Sequence, residues 1–175
     1  MTNPQAELRR QLMNALYNDD FSTVEELLKQ GVNINLPYNH QGWTPFMWVC
    51  KEHCSPDIIK MFLEYNPKLE LKNKYGRTAL HIMVCRRSSF ACPNILIEQG
   101  ADVNTQDYKG NTPLMSLLSL SQIPLKMLVA WNLLPLTDLS IKNDEGQTAY
   151  DIAKANPAFD DKQFLEMLNR GQNND

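Results

Sequence analysis

Cys50, His53 and Cys54 fall within about one helical turn in the stretch Cys50-Lys51-Glu52-His53-Cys54, and Cys85 follows later in the chain. Thiolates and an imidazole are ligands that zinc takes in tetrahedral sites, and the same sulfurs would serve a thiol sensor. The spacing argues against the metal, because no Cys-x2-Cys pair occurs in the chain. Nucleophilic catalysis is no better supplied. Only three histidines are present, His40, His53 and His81, and none forms a recognisable nucleophile–base arrangement with a serine or cysteine. There is neither a glycine-rich phosphate loop nor a paired-carboxylate motif. The expectation is a protein with no enzymatic activity, cofactor or metal. A metal or thiol sensor through Cys50, Cys54 and Cys85 is the alternative.

The elements that carry these residues are set by a stretch that recurs four times. Gly42-Trp43-Thr44-Pro45-Phe46-Met47 is followed by Gly76-Arg77-Thr78-Ala79-Leu80-His81, Gly110-Asn111-Thr112-Pro113-Leu114-Met115 and Gly146-Gln147-Thr148-Ala149-Tyr150-Asp151. The glycines are 34, 34 and 36 residues apart, and a period of that size means stacked units. Glycine takes the positive φ of a tight turn at no steric cost. The threonine caps a helix, and Pro45 and Pro113 suit the first helical position, where a missing N–H costs nothing. Each unit therefore reads as turn, cap, helix.

This pattern resembles the ankyrin repeat, with its T-P-L-H-x-A signature and a period of about 33 residues. Thr78-Ala79-Leu80-His81 matches best. Gly100-Ala101-Asp102-Val103-Asn104 matches the family's end-of-repeat segment, and Gly31-Val32-Asn33-Ile34-Asn35 is a looser copy. The resemblance implies an all-α solenoid of about five helix-turn-helix units joined by β-turn or hairpin loops. The whole chain is then one domain: an N-terminal cap unit at 4–35, repeats at about 36–72, 73–106 and 107–142, and a C-terminal cap unit at 143–171. It also implies that the His81 ring ties neighbouring turns together, and that Cys50 is core packing. Cys92, in the place of an aliphatic residue, reads the same way.

Along the chain, Pro4 opens a first helix carrying Leu8, Leu12, Ala15 and Leu16 at helical spacing. Ser22 with Glu25 reads as a capping box for the next helix, which Gly31 stops. In the second unit Asn66-Pro67 replaces the usual Gly-Ala, and Leu71 stands in the asparagine's place. Pro93 shortens the second helix of the third unit. In the fourth, that helix spans roughly 124–132, and the apolar loop Leu133 to Leu139 is either buried or a second contact site.

Composition sets outer bounds. The 175 residues are 43% hydrophobic and 9% aromatic, which excludes a disordered chain. A net charge of −3 is too small to argue for nucleic acid or a membrane surface. No run approaches the ~18 apolar residues of a spanning helix, and the polar N-terminal stretch lacks a signal-peptide pattern. Four cysteines without an export signal point to a reduced, cytoplasmic protein. Bacterial effectors also reach host cells without such a signal, so a host cytoplasm is the second expectation.

By resemblance, hairpin tips and the exposed side of the first helices line a concave binding face. The tips are His40, Gln41 and Trp43; Lys74, Tyr75 and Arg77; Tyr108, Lys109 and Asn111; then Asp144, Glu145 and Gln147. Helix ends add Trp48, Lys51, Glu52, Arg86 and Arg87. Aromatic and basic residues alternate over the middle of this face, and Trp, Tyr and Arg dominate binding hot spots. The expected function is a monomeric adaptor or inhibitor that binds a protein partner with an acidic surface or peptide. The alternative is a bacterial or viral effector acting on a host protein. Nucleic acid is disfavoured by the pI of about 5.6, and no membrane contact is expected. Asn104, with Leu96 eight residues before and Asp102 two before, resembles the site of the asparagine hydroxylase that modifies ankyrin repeats; the competing role is a hydrogen bond within the turn.

Overall fold

The computed structural model describes residues 4–86, 91–120, 127–159 and 161–172. Among them lie ten α-helices and no strand: α1 (Pro4–Tyr17), α2 (Phe21–Lys29), α3 (Pro45–Glu52), α4 (Pro56–Leu63), α5 (Ala79–Val84), α6 (Ala91–Glu98), α7 (Pro113–Leu118), α8 (Met127–Leu133), α9 (Ala149–Ala155) and α10 (Lys162–Gly171). They pack as five successive pairs. The first helices stack in the order α1, α3, α5, α7, α9, and α4, α6 and α8 form a second row. This is the all-α solenoid that the repeats imply. No helix among the described residues is long and apolar enough to cross a membrane.

Threonine caps start the first helices α3, α7 and α9. The Thr44 and Thr112 hydroxyls accept the backbone N–H of Met47 (3.2 Å) and Met115 (3.3 Å). Thr148 does the same for Asp151, whose carboxylate returns to the Thr148 N–H at 2.9 Å. The three central first helices, α3, α5 and α7, then disappear into the stack. Residues 45–50 of α3 are all buried, because α1, α5 and α4 each cover a side. A helix apolar all round is stable only when enclosed in this way.

Several local expectations are corrected. The cap of α2 is Asp20, which accepts from Thr23 N–H at 3.1 Å; Ser22 is already helical, and Glu25 pairs with Lys29. Pro93 does not shorten α6, which at 8 residues equals α4. The start expected for α8 near 124 lies outside the described residues. Of the apolar stretch expected as a loop, Leu133 ends α8 and is buried with Leu134, while Leu136 is exposed.

The units are also tied by a ladder of side-chain rungs. Gln5 accepts the Asn33 N–H at 2.8 Å, Asn35 that of Lys68 at 2.7 Å, Glu70 that of Asp102 at 2.9 Å, and Asn104 that of Asp138 at 2.8 Å. The asparagine's place in the second unit is therefore held by Glu70 and not by Leu71. The extra methylene of Glu70 is no handicap: its second oxygen also accepts from Thr105 Oγ1 at 3.0 Å. Asn66 occupies the left-handed φ of +51° that Gly100 takes at +88° one unit later, which keeps the register.

Candidate protein-binding face

Four hairpins project from the first-helix row. In each, an Asn or Asp three residues before the turn glycine accepts two backbone N–H groups. Asn39 holds Gln41 and Trp43 at 3.0 and 3.1 Å, and Asn73 holds Tyr75 and Arg77 at 2.9 and 3.1 Å. Asp107 holds Lys109 and Asn111 at 2.9 and 3.0 Å, and Asn143 holds Glu145 and Gln147 at 3.1 and 2.9 Å. Sequence reasoning passed over these four residues, although their fixed offset from the glycines was visible. Consecutive hairpins are joined by backbone bonds: Lys74 N–H to the Gln41 carbonyl (2.9 Å), Tyr108 to Tyr75 (3.1 Å) and Asp144 to Lys109 (3.0 Å). Gly76 is required twice over. Its φ is +75°, and a Cβ there would stand 2.8 Å from Tyr108 Cγ and closer still to the Tyr108 backbone nitrogen.

The joined hairpins set the aromatic residues side by side. Tyr75 is 48% exposed and Tyr108 67%, while Trp43 is half-buried against the core. Trp43 and Tyr75 share a hollow of 260 Å³, and Tyr75 and Tyr108 line another of 260 Å³ with Lys74, Lys109 and Arg77. The cations are partly occupied. Lys51 Nζ lies 5.6 Å above the Trp43 ring and Lys74 Nζ 5.1 Å above Tyr75, within the range of cation–π attraction. Arg77 Nε is 3.6 Å from Asp107, and Arg86 Nη2 is 3.9 Å from Glu52. The hydrogen bond from Lys51, with Arg86 nearby, holds the Glu52 carboxyl below its usual value against a smaller burial effect. His40 and Lys109 are exposed. Arg87 lies outside the described residues.

Two residues expected on this face have other engagements. Trp48 is only 9% exposed, so it is no contact residue in this fold. Its ring meets Tyr17 edge-on at 4.9 Å, because α1 covers that side of α3. Asn111 is half-buried; its carbonyl accepts from the His81 ring at 3.0 Å and its Oδ1 from Asn143 at 3.1 Å.

His81 is the internal tie that the resemblance implied. Nδ1 accepts from the Thr78 N–H at 3.3 Å and faces the Thr78 hydroxyl at 2.9 Å. Nε2 must then carry the proton donated to the Asn111 carbonyl. Burial pushes this imidazole below its ordinary pKa, although the Asn111 and Asp107 contacts oppose the shift. The ring is neutral, enclosed and fully used.

Of the sulfurs, Cys50, Cys54 and Cys92 are buried, and Cys85 is half-exposed. Among the described residues no group of three His, Cys, Asp or Glu is placed to hold a metal. His53 turns away from the cysteines, with Nε2 3.3 Å from the Leu16 carbonyl and Nδ1 3.5 Å from Asp19. Burial pushes the Cys54 thiol up to about 12, helped by its contact with Cys92, and the Cys50 thiol well above its ordinary value. Asn104 is half-buried, and its Oδ1 forms the rung to Asp138 rather than a bond within its own turn.

A profile described as ankyrin repeats, in three copies, matches residues 12–107, more than half of the chain. The chain is 30% identical to the nuclear factor NF-kappa-B p105 subunit of Gallus gallus over 63% of its length, spanning 11% of that protein. It is 28% identical to an ankyrin repeat-containing protein of Schizosaccharomyces pombe over 66% of its length, spanning 53% of it. An ankyrin repeat protein of Acanthamoeba polyphaga mimivirus is 25% identical over 87% of the chain and 94% of the viral protein.

Proposed function

This chain belongs to the ankyrin-repeat family, and we propose that it is a non-catalytic adaptor or inhibitor gripping an acidic segment of a protein partner. Repeats of this family are a general protein–protein interaction module; the particular face and the acidic partner are our reading. Tyr75, Tyr108 and the open edge of Trp43 anchor the partner, and Lys74, Arg77, Arg86 and Lys109 steer it. The observation that supports this most is the placing of two half-exposed or more exposed tyrosines on adjacent, backbone-bonded hairpins. Large rings at turn tips have no core to enter, and aromatic anchors amid cations are what hot spots are made of. A reducing compartment suits its four cysteines, none of them in a disulfide, and the chain works as a monomer.

The test is capture of a partner from lysate by the wild-type chain and by Tyr75→Ala and Tyr108→Ala. A captured protein should be lost from both variants while their thermal midpoints stay within a few degrees of wild type. Equal capture by folded variants would remove the face from consideration. The effector reading shares this mechanism and differs only in the source of the partner. The extent of the match to the mimivirus protein favours it, and lysate from a host cell rather than the chain's own organism would then yield the partner. At Asn104, incubation with the asparagine hydroxylase and 2-oxoglutarate should add one oxygen atom to the intact mass if the site is used. No added mass at Asn104 excludes it.

A further inference from the structure

The hollow between Trp43 and Tyr75 differs from the rest of the face in what its wall offers. Lys51, Arg77 and Arg86 line it together with Asn73 and His81, and none of its lining residues is acidic, although Arg77 pairs with Asp107 at 3.6 Å and Arg86 with Glu52 at 3.9 Å. Asn73 is 2% exposed. Its Oδ1 accepts from Tyr75 and Arg77 N–H, which fixes the amide's orientation and leaves Nδ2 as a donor. That Nδ2 and the Nε of Arg86 are buried atoms without a hydrogen-bond partner among the described residues. Buried unpaired donors are rare in folded proteins and call for an explanation.

The repeat supplies the explanation for Asn73. At the equivalent place in the last unit, Asn143 Nδ2 donates to Asn111 Oδ1 and Gln147 Oε1, each at 3.1 Å. The residues standing where Asn111 and Gln147 stand are here Trp43 and Arg77, and neither has an acceptor to offer. In the unit between, Asp107 has no such donor. Among the described residues, Asn73 is thus the hairpin amide left as a buried orphan donor, and a cationic wall stands beside it.

We propose that this hollow receives the carboxylate of a single glutamate or aspartate side chain from the bound partner, one oxygen meeting Asn73 Nδ2 and the other the Arg86 guanidinium. The inference rests on the reading of this face as the binding face and names the chemistry of its central contact. The size fits: 260 Å³ falls short of the ~300–1,000 Å³ of small-molecule pockets, but admits one side chain. An ionised acceptor forms the stronger, shorter class of hydrogen bond with such donors. Trp43 and Tyr75 also line the hollow, and their rings limit competition from water.

The test needs no captured partner. The 15N-labelled full chain is titrated with acetyl-Ala-Glu-Ala-amide, its glutamine counterpart and inorganic phosphate, and followed by 1H–15N correlation spectra. The glutamate peptide should move the Asn73 side-chain amide, the Arg86 Nε–H and the Trp43 indole, and the glutamine peptide should not. Asn73→Asp should weaken the response at least ~10-fold by replacing the donor with a like charge, with the fold kept because Asp107 holds the same two N–H groups in its own hairpin. Arg77→Gln should also weaken it, by giving Asn73 the acceptor that Gln147 gives Asn143. Equal response to the glutamine peptide, stronger response to phosphate, shifts confined to other residues, or an Asn73→Asp variant that binds as wild type would each overturn the assignment. None of these would touch the tyrosine anchors, which stand or fall by partner capture alone.

Discussion

At the scale of single residues, three of the four thiols and the His81 ring are enclosed by the fold. Cys50, Cys54 and Cys92 are buried, and Cys85 is half-exposed. Only the thiolate reacts, so the raised thiol pKa of Cys50 and Cys54 protects their sulfurs, and enclosure shields Cys92. In the native protein an alkylating agent at neutral pH should modify Cys85 at least ~10-fold faster than the other three; mass-mapped labelling in which Cys50 or Cys54 reacts as fast would refute their enclosure. His81 gives a pH signature. Its folded pKa lies below that of the unfolded chain, so between the two values the unfolded state binds more protons. Stability from this residue is complete above about pH 6.5 and declines as pH falls below it toward the lowered folded value. Urea unfolding midpoints should drop over that interval, and His81→Gln should make the decline shallower. An identical slope in the variant would show that other groups cause it.

At the scale of elements, the ladder and the hairpins carry the unit-to-unit register. Glu70→Leu removes a rung to Asp102 and should cost ~1 kcal/mol, whereas Glu70→Asn, the residue used at 35 and 104, should restore most of it; denaturant titrations of both variants decide. Gly76 and Gly146 share nearly the same φ, +75° and +76°, but nothing lies within 4 Å of a Cβ on Gly146. Gly146→Ala should cost only the left-handed penalty of ~1–2 kcal/mol, and Gly76→Ala clearly more, because the Tyr108 backbone must also move. Equal costs would mean that the hairpins are not tightly stacked. These elements also divide what the sequence discloses from what it hides. Helix starts were legible because Thr44, Thr112 and Thr148 act within one turn of themselves. Glu70 was missed because its partner is 32 residues away and the count from Asn66-Pro67 slipped by one. Trp48 was misplaced because its exposure is decided by α1, the helix that lacks the repeat signature. The period sets the hairpin positions, with Gly42, Gly76, Gly110 and Gly146 all at positive φ; the unpaired Nδ2 of Asn73 is hidden from it, since it depends on what two neighbouring hairpins fail to offer.

At the scale of the molecule, each pair buries its apolar face only against its neighbours, so the hairpins can vary without endangering the core. That freedom explains how Trp43, Tyr75 and Tyr108 occupy tips on a chain whose interior is ordinary. It also explains the uneven charge: cations gather at Lys51, Lys74, Arg77, Arg86 and Lys109, acids at Asp144 and Glu145, on a chain of net charge −3. On the function proposed above, such an arrangement steers more than it holds. Lys109→Glu should lower the association rate and its salt dependence while changing the dissociation rate little, as stopped-flow binding at two ionic strengths would register. The most direct measurement is the equilibrium affinity of a captured partner for the wild-type chain, for Tyr75→Ala and for Tyr108→Ala. We expect each variant to bind with a loss of ~2 kcal/mol, about 30-fold in Kd, at an unchanged thermal midpoint; wild-type affinity in both folded variants would mean that the partner is held elsewhere.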